Sequence, residues 1–392
     1  MEEFPHCEST NLARYAAWID AKVEAAAESL AITLQDWPTA EAVLRLLGER
    51  RDWKKLEAAH VRLLGQRPDP EREVALSRGL AVLYRDQLKN DGAAIEIFER
   101  LVQRDPLHAD DCLCLATLHE RNRRVVDALD VLDAGVVRAP EAADLYRRRF
   151  DLSAAIGDVD GAWRSAAALF LMEKIDNLDH ANFYADHQLR EPRTPLREVT
   201  AHDLIALRHH DEDPSLSEVL GIARVAIPKR ARRTIVKTRT AEELYLLIHY
   251  KMCDLFPQYE LVNEELDTLR ALTFAALAMF SGEGEIPREE AAAARAKRAL
   301  LEHALGNEAK DRLAAALNAF VASGANVDVA KWRHGARVSC ASAAALLVGD
   351  PNLLEEFLDR EPAVRDATAA CFATARTGRL RAELGLGLTP PA

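Results

Sequence analysis

Two stretches of this chain, Glu73 to Pro106 and Leu107 to Pro140, repeat one another at a spacing of 34 residues. Ala94 recurs as Ala128, Phe98 as Leu132, and Pro106 as Pro140. A fixed period of this length belongs to a helix–turn–helix unit. Such a unit cannot bury its apolar face alone and must stack on neighbours of the same kind. The first half of the chain is therefore constrained to a helical repeat before any single residue is interpreted. Low aromatic content (6%) and the scarcity of β-branched runs favour helix through the rest as well.

Four such units are expected. The first pairs Thr39–Arg50 with Trp53–Gln66 and stops at the breaker Arg67-Pro68-Asp69-Pro70. The second pairs Ala75–Asp86 with Ala93–Arg104, the third Asp110–Arg121 with Val125–Arg138, and the fourth Ala142–Ile156 with Gly161–Ile175. A proline at the end of a unit halts the helix and restricts the residue before it. Pro68 lies 38 residues before Pro106, so a four-residue insertion is expected between them, near Arg72 or Lys89–Asp91. Before the repeats, Leu12, Tyr15, Ile19, Val23, Ala26 and Leu30 form an amphipathic stripe, a helix suited to capping an open stack.

The organisation expected is a capping helix over 1–36, a repeat domain over 37–190, and a C-terminal helical domain over 191–392, with a linker at Glu191–Pro195. In the last part, Thr200 is an N-cap. Helices are expected over Ala241–Phe256, Val262–Phe280, Pro287–Leu305, Lys310–Ala322 and Val327–Val348, and two shorter ones follow. Ser281-Gly282-Glu283-Gly284 reads as a loop.

This repeat pattern resembles the tetratricopeptide repeat family. There a small residue in the second helix is followed four residues on by a large one and eight further on by proline. Ala94-Phe98-Pro106 and Ala128-Leu132-Pro140 keep that spacing, Tyr84 and His119 fall near the family's helix-A tyrosine, and Lys174 replaces the fourth proline. The resemblance covers about residues 37–175 and implies a concave surface lined by the first helices. Its groove positions fall on Arg45, Arg78, Arg85, Arg121 and Arg147, with Asp86, Glu120 and Asp151 among them. Arginine forks suit carboxylates, so the expected occupant is a protein or peptide segment, acidic in character.

A second resemblance lies in the C-terminal half. EELYLLIHYKMCDLF (242–256) and RVSCASAAALLVGD (337–350) look like the two zinc helices of M48 metallopeptidases, as found in large bacterial repeat proteins with a degenerate peptidase-like tail. That family's HExxH places two histidines on one helix face and a glutamate against the zinc-bound water. Here the motif becomes Tyr250-Lys251-Met252-Cys253-Asp254 or, one residue earlier, His249 to Cys253. The later glutamate ligand falls on Arg337 and the aspartate on Ala341. A cation cannot bind zinc, so the resemblance implies a relic scaffold without catalytic residues, resident metal or cofactor. His249 reads as a hydrogen-bonded core or boundary histidine.

Other signals are weaker. His209-His210-Asp211-Glu212-Asp213 carries five adjacent potential ligands, but adjacent ligands converge on one ion only with a turn and a distant partner. Asp213-Pro214 also reads as a helix start. The basic run 229–239 reads as an exposed connection; no aromatic interleaves with it, as a nucleic-acid stacking platform requires. Ser339 and Cys340 near His334 lack an orienting third group. Six scattered cysteines without a CxxC pair read as reduced thiols, with Cys112 and Cys114 as small core residues.

The net charge of -12 argues against a nucleic-acid binder, and no apolar window reaches the ~18 residues of a membrane span. The N-terminus MEEFPHCEST lacks the basic and apolar regions of a secretory signal, so cytoplasm is the expected location. The chain is thus expected to be all-α and non-catalytic, a scaffold that binds a protein segment. The alternatives are a diverged hydrolase and a regulatory binder of polyanions through 229–239.

Overall fold

The structure, a computed structural model, describes residues 20–104, 108–189, 195–229, 232–233, 235, 240–280, 287–324 and 327–388. Among the described residues every regular element is helical, so the protein is all-α. Its contacts fall into two compact units, Met1–Ala139 and Pro140–Ala392.

The first unit opens with helix α1 over 20–29. Three helix pairs follow: α2 (Trp37–Glu49) with α3 (Trp53–Gly65), α4 (Pro70–Leu83) with α5 (Asp91–Arg104), and α6 (Ala109–Arg121) with α7 (Val125–Arg138). Each helix packs on the next. Caps set the starts. The carboxylates of Asp36, Asp52 and Asp69 accept the backbone N–H of Thr39, Lys55 and Arg72 at 3.4, 3.4 and 2.9 Å. Each satisfies a donor that the first turn leaves orphaned. The buried faces follow helical spacing, as in Val43 and Leu47 of α2 or Ala94, Phe98 and Leu101 of α5. The Gln66 side chain bonds the Ile32 carbonyl at 3.1 Å and the Leu34 N–H at 3.0 Å, tying the segment before α2 to the end of α3.

The insertion lies inside a helix. Pro70, which the sequence reading counts among breakers, sits at the first position of α4, where its missing N–H costs nothing. The 14 residues of α4 run straight into a five-residue π-helix, Tyr84–Leu88, whereas α6 has 13 residues in all. The extra length is absorbed by an early start and a widened turn.

One backbone feature recurs with the repeat. The residue between paired helices is left-handed in each case: Arg51 (φ 59°), Lys89 (52°), Arg123 (60°) and Gly157 (76°). Their spacings of 38, 34 and 34 reproduce the sequence period and its insertion. A left-handed residue closes a helix end with its own backbone N–H, at a steric cost for any residue but glycine.

The second unit begins with α8 (Ala143–Ala155), α9 (Val159–Leu171) and α10 (Leu178–His187). Short helices α11 (Ala201–Ile205) and α12 (Pro214–Ala223) precede α13 (Ala241–Leu255), α14 (Leu266–Ala278), α15 (Ala291–Ala304) and α16 (Asn307–Ala322). Then come α17 (Val329–Val348), α18 (Glu355–Leu358), α19 (Pro362–Ala373) and α20 (Ala375–Glu383). Two of these helices are buried nearly all round. α9 lies against α8, α10 and α19, and α17 lies against α13, α14 and α19. The run Ala341–Ala345 keeps α17 thin enough for neighbours on several sides.

The division after Ala139 places the fourth helix pair with the C-terminal helices, whereas the sequence reading places the break at 191–195. Residues 190–194 lie outside the described ones. The physical reason is a set of buried arginines. Arg164 of α9 donates to the Ala373 carbonyl at 2.6 Å and to that of Thr374, and Arg381 of α20 donates to Asp160 of α9 at 3.2 Å. The fourth pair is thereby bound to residues more than 200 positions downstream.

Candidate functional site

In the first unit, the arginines expected to line a groove divide into two kinds. Arg78 forms a two-pronged pair with Asp111, Nε to Oδ1 at 2.9 Å and Nη2 to Oδ2 at 2.7 Å, and Asp111 is only 2% exposed. Arg85 holds Asp86 at 2.7 and 2.8 Å and reaches Cys114 Sγ at 2.6 Å. That hydrogen bond keeps the Asp86 carboxyl below its ordinary range. Cys112 is buried as expected, but Cys114 is only partly so and serves as an arginine contact. Arg45 and Arg121 are exposed, with Glu120 half-buried beside Arg121. Arg147 belongs to the second unit, where it pairs with Asp144 at 2.6 Å and Asp176 at 2.7 Å.

In the second unit, α13 packs on α17, so the two segments that resemble zinc helices do meet. The side chains at the expected ligand positions do not converge. Lys251 pairs with Glu198 at 3.4 Å, Asp254 with Arg232 at 2.7 Å, and Arg337 with Glu361 at 2.6 Å. The Tyr250 hydroxyl accepts the Arg233 N–H at 3.0 Å, and the Arg232 guanidinium lies 5.4 Å from its ring centre. His249 is buried, donates from Nε2 to the Tyr259 carbonyl at 3.0 Å, and has its pKa lowered by that burial. Burial pushes the neighbouring Cys253 thiol up to about 12, so it stays protonated. His249, Tyr250 and Cys253 border a pocket of about 440 Å³ whose wall also mixes Arg224, Arg232, Asp254 and Glu260. Of the basic run 229–239, residues 230–231, 234 and 236–239 lie outside the described ones. Arg232 and Arg233 are paired with Asp254 and Glu243.

Behind α13 lies a polar web that sequence reasoning missed. Glu212 is 3% exposed. Its carboxylate accepts the Tyr259 hydroxyl at 2.8 Å, the Ser339 hydroxyl, and Arg208 Nη2 at 3.0 Å. Arg208 also donates to Ser217 Oγ at 2.8 Å, which accepts Trp332 Nε1 at 2.9 Å. Ser339 in turn accepts the His209 N–H at 2.8 Å. The hydroxyl of Ser339 is thus fully engaged and buried, a structural group rather than a nucleophile. A buried carboxylate persists only with this many donors around it. Its one sequence signal was the polar run 209–213 beside apolar helices.

The web holds a turn. Asp213 caps α12 through the Leu216 N–H at 2.7 Å, and Gly335 of α17 lets the backbone of 211–212 approach. A methyl group at position 335 would stand 2.7 Å from the Glu212 nitrogen. On this turn His209, His210 and Asp211 each offer a ligand atom, all within 4.8 Å of one another.

Fold and sites together define an all-α protein of two units, in which no described helix is long and apolar enough to cross a membrane. No known family model matches the chain, and no curated protein matches it as a relative.

Proposed function

We propose that the chain is a non-catalytic interaction protein of the tetratricopeptide-repeat kind, whose repeat helices bind a protein segment. The observation that carries this reading is the left-handed residue recurring at Arg51, Lys89, Arg123 and Gly157 with the period of the sequence. Stacked pairs of that kind leave the outer faces of the first helices as a continuous surface. Of the cations expected on it, Arg45 and Arg121 are exposed. An acidic segment would pair there more readily than at Arg78, whose buried Asp111 it would have to displace. In the second unit, Lys251, Asp254 and Arg337 are each engaged in ion pairs with other side chains, which fits a reading of these positions without zinc-ligand chemistry.

The test is selection of displayed peptides on the full-length protein, followed by affinity measurement of the selected sequences. Acidic segments are expected, and the double variant Arg45→Glu/Arg121→Glu should weaken them about tenfold or more. Selected peptides that bind the variant equally well would overturn the assignment of this surface. Failure to select any sequence would overturn the interaction reading itself.

A further inference from the structure

We propose that His209, His210 and Asp211 form a binding site for one divalent transition metal of the zinc class, with solvent completing the coordination. This goes beyond the interaction reading and departs from the sequence expectation of no metal. That expectation turned on the lack of a turn and a distant partner. The structure has the turn, and it brings the three donor atoms together without a distant ligand.

One donor atom from each of the three residues lies within 4.8 Å of the other two, and Asp211 faces the two rings with different oxygens. His209 Nδ1 lies 3.6 Å from Asp211 Oδ2, and His210 Nε2 lies 3.5 Å from Asp211 Oδ1. Ligands about 2.0–2.2 Å from a tetrahedral ion stand about 3.3–3.6 Å apart. The backbone N–H of Asp211 donates to His209 Nδ1 at 3.3 Å, which keeps that nitrogen unprotonated, and an ion would take over the single lone pair this long contact occupies. The ring of His334 on the neighbouring helix stands 6.0 Å from that of His209 and nearly perpendicular to it, a ring contact outside the ligand group. Imidazoles with one carboxylate select zinc, cobalt or nickel over calcium and magnesium, which prefer oxygen alone.

The site is held from behind. Ser339 fixes the His209 backbone, Glu212 locks the turn to Tyr259 and Arg208, and Asp213 anchors it to α12. Such outer partners orient ligands before the ion arrives. A cation already stands at the edge: Lys331 Nζ is 3.4 Å from Asp211 Oδ1. In the metal-bound form the ion takes over that carboxylate and Lys331 swings to solvent, where its side chain is already 58% exposed.

The test uses tag-free full-length protein and Co²⁺ as the probe, with visible absorption reporting coordination number. One equivalent is expected, with the intense bands of a four-coordinate ion. His210 is exposed, so His210→Ala should keep the fold while weakening binding about tenfold or more. Lys331→Met, which removes the competing cation, should strengthen it severalfold. His303→Ala, on exposed α15, is the control and should change nothing. Absence of a stoichiometric ion, or equal affinity in the parent and His210→Ala, would overturn the site.

Discussion

The two units solve the same problem with different chemistry. In the first, helices bury alanine and leucine against the next helix in sequence, and most ion pairs stay at the surface. Lys22–Asp36, Arg50–Glu24 and Lys55–Glu28 all keep a third or more of each side chain exposed. Pairs of that kind contribute little. In the second unit, charged groups are taken inside. Arg149, Arg164 and Arg381 are each 3% exposed or less, and Asp160 serves two of them. Arg381 also donates to the Gly349 carbonyl at 2.6 Å and the Leu386 carbonyl at 2.9 Å. A stack of neighbours is specified by a short local pattern. A unit that closes α20 onto α9 brings together segments far apart in sequence, and here buried polar groups fix which segments meet.

The sharpest way to break this contrast is Asp160→Asn. The change keeps the shape and removes the charge between Arg164 and Arg381, the groups whose positive charge holds the Asp160 carboxyl below its ordinary range against burial. Breaking a buried pair by removing one partner costs about 3–5 kcal/mol. Urea unfolding followed by segment-resolved hydrogen exchange should place the loss in α9, α19 and α20. An exchange pattern unchanged there would mean the arginines are solvated and the contrast is false.

Glycine positions sharpen it next. Gly335→Ala drives a methyl group into the backbone of Asp211 and Glu212, which cannot yield without the web moving. A loss of about 1–3 kcal/mol in the denaturation midpoint is expected. The repeats should respond in the opposite sense. Arg123 is a non-glycine residue held at φ 60°, where Gly157 does the same task in the next pair. Arg123→Gly should relieve roughly 1 kcal/mol of left-handed strain and raise the thermal midpoint. A fall instead would show that the Arg123 side chain matters more than its backbone.

The smallest effect expected is on pH, and it should be common to both units. His60 in α3 and His249 in α13 are buried, and burial pushes both pKa values below the usual 6.5. The unfolded chain therefore takes up protons first as pH falls. Stability is complete above pH 6.5 and declines below it, toward the folded-state values. Thermal midpoints measured between pH 7 and pH 5 should fall steadily, and His60→Gln should flatten the part due to the first unit. A midpoint that rises over this range would contradict the burial of both rings.

Local features of this fold were open to reading from residues alone. Val125–Arg138 is helical from end to end as expected. Thr200 caps α11 in a complete capping box with Asp203, whose carboxyl is held well below its ordinary range by Arg197. The early start of α4 was missed because proline breaks a helix interior yet opens a helix at its first turn, and the sequence does not say which turn it occupies. The arginines expected to line a groove were read as single positions. Their pairing was not, since Arg78 and Asp111 lie 33 residues apart.

What the sequence determined by itself is whatever repeats over one to ten turns of helix: the all-α class, the period of 34, the places where pairs close, and the cap at Thr200. These follow from backbone geometry and nearest-neighbour burial, which a linear pattern records directly. The tertiary structure alone decided that the fourth helix pair belongs with the C-terminal helices. It also decided that Arg164 and Arg381 are core residues, and that His209, His210 and Asp211 stand together opposite His334. The reason is physical: a charged or polar side chain can be buried only when its partners arrive, and here they arrive from more than a hundred residues away.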